Sequence, residues 1–164
     1  SPARTRHALG LASPSVPLLP GTLGMNIRYR CPAAPAEAIA ELVAPLRLES
    51  LLDRRSEGLE MKVSDVDAEL STGEHQSLLI ARALLGRPSL LLLDSVDSHL
   101  SPEVLAALAG IVRDYPGTVI MTATRPPLAA LATTRWRLEE GRLRRTDAAP
   151  SLVPSPAVAR GGQP

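Results

Sequence analysis

The sequence predicts an α/β fold built on a parallel sheet. Two short apolar runs, LLLL at Leu90–Leu93 and TVIMTA at Thr118–Ala123, are each followed by a segment with helix signals, and a capped helix precedes the first. Strands separated by helices pair in parallel, and parallel strands covered on both faces read as continuous apolar runs rather than alternating ones. On this reading both runs are buried, and only the last part of a larger sheet lies within the chain.

The elements follow in order. The first residues, to about position 8, are polar and contain arginine, and Ala8–Ala12 is a strand candidate. Residues 13–24, SPSVPLLPGTLG, are rich in Pro, Ser and Gly and read as loop. Between Pro35 and about Arg55, the residues Ile39, Leu42, Val43, Leu46, Leu48, Leu51 and Leu52 recur at roughly helical spacing. Pro45 lacks an amide N–H and should divide this stretch into two helices. MKVSDVDAE reads as a charged loop.

Ser71–Leu85 is the clearest helix. Ser71 and Glu74 form an S-x-x-E capping box, Leu78, Leu79, Ala81, Arg82 and Leu85 follow without a breaker, and Gly86 and Pro88 end it. Ser101-Pro102-Glu103 opens a further helix to about Arg113, with serine as N-cap and proline in the first turn. Asp114-Tyr115-Pro116-Gly117 is a turn, Pro126–Leu131 a short helix, and WRLEEGRLRR a hairpin turning at Gly141. From Thr146 the composition is that of a disordered tail. No internal repeat is present.

Composition narrows the function classes. The chain has 164 residues, room for one domain with a core or for part of a larger one. Only 2% of residues are aromatic and there is no Phe, so Leu, Val, Ile and Ala must build the core. A net charge of +1 makes no electrostatic case for nucleic acid or a membrane surface. Cys31 is the single cysteine, which excludes an internal disulfide and fits a reducing compartment. His7, His75 and His99 lack ligand spacing, so a metal site built on histidine is not expected. No apolar run reaches the roughly 20 residues that span a bilayer, and a basic-then-apolar leader is not expected from the first residues. The expected location is cytoplasmic.

At Leu70–Leu85, LSTGEHQSLLIARALL resembles the signature segment of the ATPase domains of ABC transporters, usually LSGGQ followed by a helix ending in an ARAL-like run. Leu90–Asp94 is similar to the Walker B strand of that family, Ser98–Ser101 to its D-loop, and Thr118–Arg125 to its switch-histidine strand. Upstream, VPLLPGTLGMNI at Val16–Ile27 resembles the segment after the Q-loop in exporter-type members. These matches occur in family order over about residues 8–145.

The resemblance implies the C-terminal two-thirds of a P-loop NTPase core with a helical subdomain. Residues 1–23 would be a Q-loop-like segment and partial core, and 24–85 the helical subdomain with the signature helix. Residues 86–145 would run from Walker B to the C-terminal hairpin, and 146–164 would be the tail. The cofactors implied are ATP and Mg2+. The partners implied are a second ABC ATPase domain and a transmembrane transporter subunit, which would hold the chain peripherally at the inner face of the plasma membrane.

Each site element departs from the family pattern. ATP binding in the family depends on G-x-x-x-x-G-K-[ST], whose backbone N–H groups and lysine hold the phosphates. The chain contains no such motif, and its only lysine, Lys62, follows no glycine loop. Asp94 takes the place of the Walker B aspartate that holds magnesium through water. Ser95 stands at the position of the catalytic glutamate, and a serine hydroxyl is a poor base at neutral pH, so general-base catalysis worth roughly 10²–10⁴-fold would be lost. Thr124 stands at the switch-histidine position, Pro14 at the Q-loop glutamine, and Ser101 at the D-loop aspartate. The chain alone is expected to be inactive as an ATPase.

The signature acts in trans in this family, against ATP held by a partner domain. Ser71 and Gly73 are kept, and a helix beginning at Ser71 would direct its N-terminal N–H groups at that phosphate. Thr72 adds bulk, and the Glu74 carboxylate opposes an arriving phosphate. The expected function is therefore a degenerate half that completes a partner's ATP site. The alternatives are the C-terminal part of a longer ATP-hydrolysing transporter protein, and an interaction module or decayed remnant that binds no nucleotide.

Overall fold

A computed structural model describes residues 8–66 and 69–146. The chain divides into two compact units, with the boundary after Leu131. The first unit carries a three-stranded parallel sheet in the order β1-β2-β3, made by β1 (Leu9–Ala12), β2 (Leu90–Asp94) and β3 (Thr118–Thr122). Helices α1 (Leu23–Ile27), α2 (Ala36–Val43), α3 (Glu49–Leu52), α4 (Val63–Val66) and α5 (Thr72–Leu84) lie between β1 and β2 in sequence. Helix α6 (Pro102–Arg113) crosses from β2 to β3, and α7 (Pro126–Ala129) follows β3.

The fold is α/β with a parallel sheet, as the helix-strand alternation predicts, but the strands are not covered on both faces. In β2, Leu91 and Leu93 are buried while Leu90 and Leu92 are only partly so. In β3, Val119 and Met121 are partly buried and Ile120 is 58% exposed. The register aligns Leu11, Leu92 and Ile120 across the three strands, and side chains alternate faces along each one. One face therefore enters the core and the other is left largely bare among the described residues. An apolar run signals a strand but does not reveal whether one or both faces are covered.

Helix α5 is the centre of the core. Leu78, Leu79, Ile80, Ala81, Ala83 and Leu84 are buried, and the helix packs on β1 and β2. Its approach to β1 is close because Gly10 has no side chain: a Cβ there would collide with the carbonyl oxygen of Ala83 and the ring of Pro88. The capping box holds: Ser71 Oγ accepts from Glu74 N at 3.2 Å, and Ser71 N donates to Glu74 Oε2 at 2.9 Å. The end of the helix differs slightly from expectation, since Leu85 leaves the helical conformation and Gly86 turns the chain at φ 75°.

The stretch from Pro35 breaks near Pro45 as expected, into α2 and α3, whose residues Ile39 and Leu51 are buried. Two short elements were not legible. Helix α4 occupies part of MKVSDVDAE, which reads as loop, and Thr22 bridges Lys62 beside it. Residues 13–24 are mostly loop, but α1 opens at Leu23 with Thr22 as its cap, Met25 N donating to Thr22 Oγ1 at 3.1 Å. Four or five residues are too few to show a period, and tertiary burial of Leu23 and Ile27 stabilises α1 in its place.

The second unit holds the expected hairpin, β4 (Arg135–Glu139) with β5 (Arg142–Thr146), antiparallel in register Leu138↔Leu143. Glu140 and Gly141 both have positive φ, as a tight two-residue turn requires. The tail expected beyond Thr146 and the position of His7 lie outside the described residues. Among the described residues no helix is long and apolar enough to cross a membrane.

Candidate functional site

The carboxyl ends of β1, β2 and β3 bring together residues from three distant parts of the sequence. Asp94 closes β2. Its Oδ2 accepts from Ser13 Oγ at 3.0 Å, just past the end of β1, and its Oδ1 accepts from Thr122 Oγ1 at 2.8 Å, at the end of β3. Ser95 Oγ adds a longer contact of 3.3 Å to Oδ1. The Thr122 bond, then those of Ser13 and Ser95, hold the Asp94 carboxyl below its ordinary pKa despite some loss of hydration. Asp94 is thus an exposed, ionised carboxylate ringed by three hydroxyls.

Ser95 adopts a left-handed backbone at φ 51°, sparsely populated for a residue with a Cβ. Its N–H donates to Thr122 Oγ1 at 2.8 Å, and its carbonyl accepts from the buried Gln76 amide of α5 at 3.1 Å. The turn after β2 is therefore tied both to β3 and to α5. Its hydroxyl lies on Asp94 and Thr122, 3.3 Å from each.

Thr124, at the other end of the site, is positioned by Asp97. The Asp97 side chain has no exposed surface, and its Oδ2 accepts from Thr124 N at 2.7 Å and Arg125 N at 2.6 Å. The Arg125 guanidinium donates back to the carbonyl oxygens of Asp97 and Leu100, at 3.2 and 2.6 Å. Together these bonds clamp the turn 95–100 to the chain leaving β3. Pro14 is exposed in the turn that follows Ser13, and its ring carries no polar atom. Ser101 caps α6, its Oγ accepting from Val104 N at 3.3 Å.

Ser71, Thr72 and Gly73 lie at the N-terminal end of α5. Glu74 Oε2 accepts from both the N–H and the hydroxyl of Ser71, and Arg54 forms an ion pair with the other carboxylate oxygen. The donors of Ser71 are therefore taken up within the chain. Gly73 has an intramolecular reason to be glycine, because a Cβ would come within 3.1 Å of the His99 carbonyl oxygen. That contact, and the Gln76 bond to Ser95, place the start of α5 against the turn that carries Asp97.

Sequence patterns singled out Asp94, Ser95, Thr124, Pro14, Ser71 and Gly73, and the strand ends gather the first four. Ser13, Gln76, Thr122, Asp97 and Arg125 were missed. Only the strand register could have found Thr122, since it faces Asp94 directly across β2 and β3. Asp97 had no local signal at all.

Mg2+ takes hard carboxylate oxygens, and Asp94 offers one such group, whose oxygens already accept from the hydroxyls of Ser13, Thr122 and Ser95. Among the described residues there is no glycine-rich loop to cradle phosphates, and Lys62 lies in the bridge to Thr22. No group of three or more His, Cys, Asp or Glu that could hold a metal occurs among the described residues.

No family model matches the chain. It is 34% identical over 146 residues to a type I secretion system ATP-binding protein, PrsD, of Rhizobium meliloti, covering 87% of this chain and 25% of that protein. It is 30% identical over 140 residues to a multidrug efflux ATP-binding/permease protein of Mycobacterium tuberculosis, covering 84% of this chain and 12% of that one. A bacterial Atm1-family ABC exporter, solved with ATP bound, superposes with a TM-score of 0.73 at 28% identity over 85% of this chain and 25% of its own. The chain thus spans a quarter or less of the length of these proteins. Over the residues they share with this chain, its relatives are ABC transporter ATP-binding and ATP-binding/permease proteins, exporters among them.

Proposed function

We propose that the chain is the C-terminal part of an exporter-type nucleotide-binding domain, a P-loop core with its helical subdomain, whose own site does not hydrolyse ATP. Its contribution is to complete, through Ser71 and Gly73, the ATP site of a second ATPase domain, with a transmembrane subunit or domain carrying the substrate. The chain would then sit at the inner face of the membrane through that partner. The observation that carries this reading is the state of Ser95. Its hydroxyl is folded onto Asp94 and Thr122 where a water-activating carboxylate would have to stand.

Within this reading Asp94 would hold Mg2+, and Ser13 and Thr122 keep its carboxylate ionised and oriented. Magnesium and ATP supply the phosphoryl chemistry at the partner's site. Ser71 and the first N–H groups of α5 would meet the phosphate there, as free amides at a helix N-terminus do. Glu74 must first release Ser71, since it holds both of its donors.

A second reading is favoured by the length of the relatives and by the bare sheet face. The chain would be a segment of a longer ATP-binding/permease protein in which other residues cover Leu11, Leu92 and Ile120. The two are separated by purifying the chain from its host with and without Mg-ATP and identifying what accompanies it. A separate membrane protein with a complete phosphate loop, enriched by Mg-ATP, supports completion in trans. Recovery only as part of one longer polypeptide, containing its own phosphate loop and hydrolysing ATP, overturns it.

A further inference from the structure

The start of α5 carries a contradiction that the sequence leaves open. Glu74 stands in the first turn of the helix whose leading N–H groups would meet a partner's phosphate, and a carboxylate there repels an arriving anion. Arg54, in the turn after α3, is set against it. Arg54 forms an ion pair with Glu74 Oε1, while Ser71 gives its N–H and its hydroxyl to Oε2, at 2.9 and 2.8 Å. Arg55 pairs at 3.1 Å with Glu69, on the other side of the signature segment. Two adjacent arginines thus answer the two acids that bracket Leu70–Gly73, and these four side chains sum to no net charge.

The division of the two Glu74 oxygens requires an acid. A carboxamide has one acceptor oxygen, enough for Ser71, and its NH2 group cannot accept from a guanidinium. Arg54 therefore has this partner only because residue 74 is Glu rather than the glutamine usual in the signature. Folding stability is a poor reason for the pair. The Arg54 side chain is 41% exposed, and an ion pair open to water on one side adds little. The effect that remains is electrostatic. A second domain closing over this surface excludes water, so an uncompensated carboxylate would act on the phosphate with less screening than in the free chain.

We propose that Arg54 is a positioning residue of the signature: it neutralises Glu74 and keeps hold of the carboxylate when Ser71 is given up to the phosphate. The proposal rests on the trans-acting reading of Ser71 and Gly73, and supplies the residue that makes a carboxylate compatible with it. Arg54 acts through Glu74 and does not itself touch the phosphate.

The test titrates inorganic triphosphate, the phosphate chain of ATP without its base, into the full 164-residue chain at constant ionic strength and without Mg2+. The amide resonances of Thr72, Gly73 and Glu74 report binding in four proteins: the parent, Arg54→Ala, Glu74→Gln and the double variant. Glutamine preserves the capping box, so α5 begins in the same way in each. Arg54→Ala should weaken binding about threefold, Glu74→Gln should tighten it by about as much, and the double variant should return to the parent affinity. A double variant as weak as Arg54→Ala would mean that Arg54 acts on the phosphate directly. Equal affinities in all four would mean that the Glu74 charge is not felt. Either result overturns the proposal and leaves the contact of the signature with phosphate standing. If triphosphate moves these resonances in none of the four, the proposal and the trans-acting reading fall together.

Discussion

Replacing Asp97 by alanine removes the acceptor that joins the two turns of the site. Two backbone N–H groups, of Thr124 and Arg125, lose bonds of 2.7 and 2.6 Å to Oδ2, and Thr124 Oγ1 loses a long contact of 3.4 Å. A donor stripped of its partner costs about 1–3 kcal/mol when water cannot replace it. Thr124 is exposed, so its N–H is readily rehydrated, whereas Asp97 has no exposed surface and leaves a gap that water fills poorly. The expected loss is about 2–4 kcal/mol, a large share of the roughly 5–15 kcal/mol that holds a domain together. Asp97→Asn keeps an oxygen acceptor and loses only the charge, for about 1–2 kcal/mol. The assay is urea unfolding followed by far-UV circular dichroism, which reports on the helices packed around the sheet. Amide exchange at Thr124 and Arg125 should accelerate in step. A loss below about 0.5 kcal/mol for Asp97→Ala, or equal losses for the alanine and asparagine variants, would refute the reasoning.

Other outcomes follow from the same geometry. Thr122→Val removes the strongest bond to Asp94 and should raise its pKa, read by carboxyl NMR titration; no upward movement would mean that Thr122 is not the dominant influence. The depressed Asp94 pKa gives stability that is present above the unfolded value and lost as pH falls through the folded one. The Thr122→Val variant should accordingly show a smaller loss than the parent on acidification below the ordinary aspartate range. Gly10→Ala drives a methyl into the Ala83 carbonyl and should destabilise by about 1–3 kcal/mol in thermal unfolding, while Gly141→Ala should strain the hairpin turn, where φ is 74°. Ile120→Lys, on the bare sheet face, should change stability by less than about 0.5 kcal/mol yet lower light scattering on concentration; unchanged association would show that this face is not the adhesive one. Glu74→Ala should free the Ser71 donors, seen as a shift of the Ser71 amide resonance that the Arg54→Ala variant does not reproduce in full.

Where the signal is local, the sequence alone determined the structure. The capping box of α5, the serine cap and proline start of α6, and the Glu140-Gly141 turn of the hairpin each depend on a few neighbouring residues, and each forms as read. The family followed from motifs in order, which survive even where single residues have changed. Tertiary structure decided what those motifs now touch. Ser13, Thr122 and Asp94 meet because two parallel registers align the ends of β1, β2 and β3 across separations of 81 and 28 residues. Asp97 becomes a clamp only when the chain leaving β3 returns over it. The bare face of the sheet was hidden for the same reason: an apolar strand prefers to be covered, but coverage is a property of what packs beside it. Local propensity is written residue by residue, whereas register, burial and long-range pairing exist only after the chain has closed on itself.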